Sequence, residues 1–398
     1  MSHFEKDAII SGVGISHIGR RTGIAGLELT LDAARAAIAD AGLQPADIDG
    51  IATLGDTPRQ HVIEALHLDA ENRSSGFDTA GLYSPLMSAF LAVSEGRSRH
   101  VLVYRTVAML GGSMIDSSAE LPPEPNALTS PPAEPRSPGQ PRRVGANGDI
   151  GELLAAHAYS ASNWVAMHCR RHMELYGTTK EQLGWLAINS RRNAGLNPIA
   201  AYRDPITMED YLAARPISSP LGLYDCDVPV DGSIAVVVSH RDYAVDCPNP
   251  VSVEAVGGAY GTGGWFHRDD FPKMASTEAA VQMWSRTDLT PTDLDVAELY
   301  DGFTYLTFAW LEALGICGDG EAGPFVEGAT RIALDGELPL NTYGGQLSAG
   351  RMHGYWVLHE ACLQLRGQAG ERQLRRRPDT AVVAAGGGPI AGCMLLTR

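Results

Sequence analysis

Short β-branched runs that end in glycine, each followed by an amphipathic helix, recur through both halves of this chain and constrain its fold more than any other feature. The opening DAIISGVGISHIG leads into LELTLDAARAAIADAGLQPADIDGIATLG, which reads as strand, helix, a stop at Gly42, a turn and a second strand. Leu27, Leu31, Ala34 and Ile38 recur at helical spacing. This β-α-β start predicts a parallel sheet covered by helices. The stretch SPLMSAFLAVSEGRSRHVLVYRTVAML continues it, with an apolar helix that stops near Gly96 and a strand of the fully buried type.

The pattern then breaks. Eight of the chain's 24 prolines lie between Pro122 and Pro141, and proline supplies neither a backbone donor nor helical continuity, so residues 116–148 are expected to be an excursion outside the core. Residues 149–220 read as a helical insertion, and the strand SIAVVVSHRDYA closes a first half placed at 1–248. The second half, 249–398, opens with NPVSVEAVGGAYG. It repeats the theme through a helix at Ala275–Trp284, the strand DVAELYD, the helix FTYLTFAWLEALGI, the loop NTYGGQLSAG, the helix YWVLHEACLQLRG and the closing pair TAVVAAGGG and AGCMLLTR. The order of elements implies two similar β/α halves in tandem.

With 398 residues, 44% of them apolar and 20% charged, the chain can bury a large core. A formal charge of −16 argues against broad nucleic-acid binding. No early apolar run is long enough for a signal peptide or a membrane span, so a cytoplasmic protein is expected. Cys169, Cys226, Cys247, Cys317, Cys362 and Cys393 form no C-x-x-C pair, so they read as buried free thiols. Asp225 and Asp227, in LYDCDVPVDG, have prolines and glycines for neighbours and read as turn residues, so no metal site is expected.

Three loops concentrate glycine beside polar or aromatic side chains: Tyr300 to Phe303, Asn341 to Gly354, and Ala384 to Gly392. Glycine lets backbone amides come close to a ligand, which suits a thioester oxygen or an oxyanion. Each loop flanks an expected strand, where α/β sheets collect ligands. A dinucleotide site is disfavoured, because AAGGGPIAG opens no helix and has no acidic residue about 20 positions on.

The order and spacing of these loops resemble the thiolases, and most closely the sterol carrier protein x type, over nearly the whole chain. The stretch NSRRNAGLNPIAAYRDPITMEDYLAARPISSPLGLYDCDVPVDGSIAVVVS carries the likeness beyond the loops. The resemblance implies a five-layer αβαβα thiolase fold of two like halves, a homodimeric core and a coenzyme A thioester as ligand, with no other cofactor. It also exposes departures. The thiolase nucleophile should stand near Asp78 to Gly81, where there is no cysteine. The HDCF motif appears as Tyr300, Asp301, Gly302 and Phe303. In the NxxGGxxxxGHP motif the histidine has become Arg351, with His353 two residues on, and the place of a second cysteine holds Ala384.

Tyrosine in both catalytic loops resembles the thiolase-like aldolases of steroid side-chain degradation. Those proteins cleave a β-hydroxyacyl-CoA to a ketone and propionyl-CoA, and work with a partner subunit carrying an OB-fold and often a zinc ribbon. On this resemblance Tyr300 and Tyr343 are the expected proton-transfer pair. Arg351 or His353 would tune a phenol whose ordinary pKa is about 10, with His353 counted among the catalytic residues. Arg351 is also expected to bind substrate, and Asn341, Gly344, Gly345 and the amides of Gly386, Gly387 and Gly388 would hold the thioester. A non-catalytic acyl-CoA-binding subunit and a true thiolase are the alternatives.

Overall fold

The computed structural model describes residues 3–54, 57–75, 82–108, 110, 150–261 and 263–398, with the backbone alone at 72–75. The proline-rich stretch 116–148 and the place of the missing cysteine, residues 78–81, lie outside the described residues. The strands are β1 (Ala8–Ile15), β2 (Gly50–Thr53), β3 (Asn72–Ser75), β4 (His100–Val107), β5 (Pro216–Ser218), β6 (Leu221–Gly222), β7 (Gly232–His240), β8 (Val251–Tyr260), β9 (Val296–Glu298), β10 (Thr380–Gly387) and β11 (Ile390–Thr397). The helices are α1 (Gly26–Asp40), α2 (Arg59–Leu66), α3 (Ser84–Ser94), α4 (Ile150–Ala155), α5 (Ala161–Tyr176), α6 (Lys180–Gly195), α7 (Met208–Ala213), α8 (Ala275–Trp284), α9 (Thr304–Ala313), α10 (Ala322–Val326) and α11 (Tyr355–Arg366).

Nine strands pair in the order β3-β2-β4-β7-β1-β8-β11-β10-β9. The order is mirrored about its centre. β1 and β8, the first strands of the two β/α runs, meet there, β7 and β11 lie beside them, and β4 and β10 follow outward. The pairing is mixed, which corrects the expectation of a parallel sheet: β2 runs parallel to β3 and β4, and β9 to β10, while β1, β7, β8 and β11 pair antiparallel with their neighbours. The reason is visible at β11. It follows β10 through a tight turn at Gly387–Ile390, and a hairpin can deliver only an antiparallel neighbour.

Alternation along the strands divides the apolar residues among three cores. Val101, Val103 and Val107 of β4 face a central core with α3 and α11, whereas Leu102 and Tyr104 face an outer core with α1 and α2. In β10, Ala381, Val383 and Ala385 join the central core, and Val382 and Ala384 face the other outer core, with α8 and α9. Since α11 touches β1, β7, β8, β9 and β10, it is sandwiched between the two arms of the sheet, and five layers result. The inserted helices α5 and α6 join the α8–α9 side. No described helix is long and apolar enough to cross a membrane.

The first helix of each arm is seated on its first strand through a glycine. A Cβ on Gly12 would lie 2.1 Å from the carbonyl oxygen of Ala37 in α1, and one on Gly257 would lie 1.9 Å from that of Ala279 in α8. Neither obstacle is a flexible side chain, so the helix itself must move. Gly257→Ala should therefore cost about 3 kcal/mol, at the upper end for an overpacked core, read as a lowered urea midpoint. An unchanged midpoint would mean that α8 is loosely seated.

Candidate active site

The candidate cleft, where Tyr300, Asp227, Arg351 and His353 each keep partial exposure, is framed by the loop that follows β9 and by the loop that leads into α11. Past Glu298 the chain runs through Leu299, Tyr300 and Asp301 before α9 begins at Thr304. The Leu299 amide donates to Asn341 Oδ1 at 2.7 Å, and the Asn341 amide donates back to the Ala297 carbonyl at 3.0 Å. Asn341 is thus a clamp between the loops, held at φ 50°. Asp301, fully buried, accepts from the Gln346 amide at 2.8 Å and, more weakly, from that of Leu347 at 3.5 Å. The turn they belong to, Gly345–Ala349, is π-helical. Gly345 has φ +63°, and a Cβ there would sit 1.9 Å from Asp301 Oδ2, so only glycine lets the turn close on the carboxylate.

Behind the turn lies a buried polar support. Thr342 Oγ1 is 2.6 Å from Glu298 Oε1 and 2.9 Å from Glu360 Oε1, and Glu360 is paired with Arg372 at 2.9 Å. Burial, reinforced by the nearby Glu360 charge, pushes the Glu298 carboxyl well above its ordinary value. These contacts fix the backbone of the Asn341–Tyr343 turn from the side away from the cleft.

The charged wall of the cleft comes from three further segments. Arg105, near the end of β4 and 7% exposed, places Nε 3.1 Å and Nη2 2.5 Å from Nδ1 of His353. Burial, and then the Arg105 and Arg351 cations, hold the His353 imidazole well below its ordinary pKa. It is therefore neutral, with Nδ1 accepting and the proton on Nε2, which makes it a hydrogen-bond donor toward a ligand. Arg351 Nη1 stands 3.7 Å from Asp227 Oδ1, and its buried Nε has no partner among the described residues. Tyr300 packs against both the central core and the α8–α9 core, with Asp227, Arg351, Arg105 and Asp301 as its charged neighbours.

The structure thus brings Tyr300, Arg351 and His353 together and treats the other expected residues differently. Tyr343 shares the loop, but its ring is 0% exposed in the central core, stacked on Trp356 at 5.1 Å, and its hydroxyl has no partner among the described residues. Asn341, expected to bind substrate, accepts at its amide oxygen from the Leu299 amide and also bonds Asp301, so it ties the two loops together. The Gly344 amide is used on the Asn341 carbonyl, and a Cβ on Gly344 would lie 2.5 Å from that of Ala194, so this glycine serves close packing against α6.

Gly386, Gly387 and Gly388 were expected to present amides to a thioester. They instead form the β10–β11 hairpin. The Gly386 carbonyl accepts from Trp310 Nε1, Gly387 lies against Leu306, and the Gly388 amide points at the Met274 sulfur with the Trp265 ring above it. Tuning of a phenol downward is also corrected. Burial pushes Tyr300 and Tyr343 both upward, and for Tyr300 it outweighs Arg351 and Arg105. Both are neutral phenols at physiological pH.

Asp225 and Asp227 part company. Asp225 is a buried hub that accepts from Tyr211, Thr304, the Gly222 amide and Lys180, as a turn-holding carboxylate does. Asp227 is in the cleft, and the sequence reading as a mere turn residue missed it. All six cysteines are free, and burial pushes every one of their thiols upward, Cys169, Cys226, Cys317 and Cys362 to about 12. None is activated as a nucleophile.

Comparison with known proteins agrees with this fold. Residues 257–396 match the family described as thiolase C-terminal domain-like. Over 99% of both chains, the protein is 32% identical to a steroid side-chain-cleaving aldolase of Thermomonospora curvata. Over 98% of both, it is 31% identical to the 17-hydroxy-3-oxo-4-pregnene-20-carboxyl-CoA lyase of Mycobacterium tuberculosis. The solved Ltp2-ChsH2(DUF35) aldolase superposes with a TM-score of 0.86 at 30% identity, covering 99% of this chain and 98% of that one. An acetyl-CoA acetyltransferase from Syntrophomonas wolfei, 16% identical with a TM-score of 0.66, shares the fold.

Proposed function

The chain belongs to the thiolase-like aldolases that cleave steroid side chains, and on that premise we propose that it splits a β-hydroxyacyl-CoA by a retro-aldol reaction, releasing a ketone and propionyl-CoA. The observation that carries this reading is a thiolase frame whose cleft holds a neutral phenol, a neutral imidazole and a guanidinium, with no cysteine among the six whose thiol is lowered. Such a cleft cannot form an acyl-cysteine, but it can move protons and stabilise an enolate.

In the proposed reaction the Nε2–H of His353 and the free Nε–H of Arg351 polarise the thioester oxygen, where negative charge collects as the carbon–carbon bond breaks. A phenol then gives its proton to the enolate carbon. Its position beside Arg351 and Asp227 supports Tyr300 in this role, and its unspent hydroxyl supports Tyr343, since a buried O–H without a partner is costly unless a ligand completes it. Coenzyme A enters as part of the substrate, and no other cofactor is needed.

The acyl group is proposed to be a steroid side chain carrying a tertiary alcohol, by analogy with the lyase of Mycobacterium tuberculosis. The solved relative bears ChsH2(DUF35) in its name, so a DUF35-type partner with an OB-fold and zinc ribbon is part of the proposal, together with a homodimeric core and a cytoplasmic location. The test is incubation of the protein, alone and with such a partner, with 17-hydroxy-3-oxo-4-pregnene-20-carboxyl-CoA. Appearance of the 17-ketone and propionyl-CoA in equal amounts supports the reading. Tight binding of the thioester without cleavage in either state would leave an acyl-CoA-binding subunit in its place.

A further inference from the structure

Two neutral phenols leave the retro-aldol reaction without a base. The substrate hydroxyl must give up its proton to some group in the cleft, and the described candidates are few. Arg105 and Arg351 are cations. His353 is neutral, and its one lone pair is taken by Arg105. Asp301 is occupied by the Gln346 and Leu347 amides and by Asn341. Asp227 is different. Its carboxylate accepts no hydrogen bond among the described residues and meets Arg351 only at 3.7 Å, with 15% of the side chain exposed.

Its position is fixed relative to Tyr300. The Asp227 amide donates to the Gly302 carbonyl at 3.1 Å, and a Cβ on Gly302 would lie 2.7 Å from the Tyr300 ring and 3.3 Å from its hydroxyl oxygen. Asp227 and the Tyr300 hydroxyl therefore flank one glycine from two sides. We propose that Asp227 is the general base that takes the hydroxyl proton of the β-hydroxyacyl thioester, leaving Tyr300 to act as the acid.

The step balances without a further reactant. The carboxylate accepts the proton from the substrate O–H, and the oxygen's electron pair becomes the second bond of the ketone. The Cα–Cβ bond breaks, its electron pair enters the thioester enolate, and Tyr300 protonates Cα. Exchange with solvent returns the proton from Asp227 to the phenolate. The electrostatics suit the role. Burial lifts Asp227 to about 7, with Arg351 pulling down and Asp301 pushing up, while Tyr300 and Cys226 are its other titratable neighbours. A base is most effective when its pKa lies near the working pH.

This inference rests on the aldolase reading. If the wild-type protein with its partner leaves the thioester intact, that reading falls first. Given cleavage, the test is the pH–rate profile of the complex on the same steroid thioester. Because the carboxylate is the active form, kcat should rise with pH through about 7. Asp227→Asn should lower kcat by about 10²- to 10⁴-fold, the usual worth of a general base, and the rise near neutrality should vanish from what remains. Asp227→Glu keeps the carboxylate in a fold that differs by one methylene, so it should retain the rise at a shifted pH with kcat lowered at least about tenfold. A folded Asp227→Asn protein with kcat within about tenfold of wild type, or one whose residual activity still rises near pH 7, overturns the assignment. So does an Asp227→Glu protein with an unchanged kcat and profile.

Discussion

Tyr300→Phe should lower kcat by about 10²- to 10⁴-fold while leaving the melting temperature of the protein where it was. The ring of Tyr300 is wedged between the central core and the α8–α9 core, and phenylalanine reproduces all of that contact. The hydroxyl makes no hydrogen bond to a described residue, so its removal takes nothing from the fold. What it removes is the proposed proton source beside Arg351 and Asp227. If Tyr300 only packs, the mutant will turn over at the wild-type rate. The mutant protein should still bind the thioester, so KM should change far less than kcat, which separates a lost proton donor from a collapsed site.

Tyr343→Phe should raise stability, which Tyr300→Phe leaves unchanged, and should likewise lower the rate. The Tyr343 hydroxyl is buried without a partner among the described residues, and leaving a polar group so costs about 1–3 kcal/mol. Removing it while the ring stays stacked on Trp356 should raise the unfolding free energy by about 1 kcal/mol or more. If that hydroxyl waits for the enolate or the thioester oxygen, kcat falls by about 10²-fold or more in the same protein. A gain in stability with activity intact would show Tyr343 to be a packing residue. Stability and activity measured on one mutant thus separate the two roles without any need for a ligand-bound structure.

Much of the frame can be read along the chain, because burial leaves periodic marks. Helix α8 at Ala275–Trp284 and helix α11 stand where apolar spacing and glycine stops put them. The strand direction could not be read the same way. β7 and β11 look like any fully buried strand, and nothing in an apolar run tells whether its neighbour runs with it or against it. Five layers also require knowing that α11 touches both arms of the sheet, a long-range contact with no local signature.

In the cleft, residue types were legible and their electrostatics were not. Tyr300, Arg351 and His353 stand out in glycine loops, yet the sign of the pKa shift on a phenol is set by how deeply the fold buries it, not by which cations lie nearby in sequence. His353 is held neutral by burial first and then by the Arg105 and Arg351 cations, and Arg105, 248 positions earlier, points at its ring. Asp227 looked like its neighbour Asp225, and only the fold shows that the Asp225 carboxylate is saturated with hydrogen bonds while that of Asp227 accepts none from a described residue. The glycines of the last loop misled in the other direction. A run of three reads as an amide cradle, but here it is the turn of a hairpin packed under Trp265.

The central claim is that carbon–carbon cleavage on this thiolase frame proceeds by proton transfer without a thiol. Cleavage of the steroid β-hydroxyacyl-CoA in D₂O, with no free coenzyme A added, tests it most directly by mass spectrometry of both product and protein. The account predicts propionyl-CoA carrying one solvent deuterium at Cα and no mass added to any of the six cysteines. A reaction that needs added coenzyme A, or a protein found acylated on a cysteine, would contradict it.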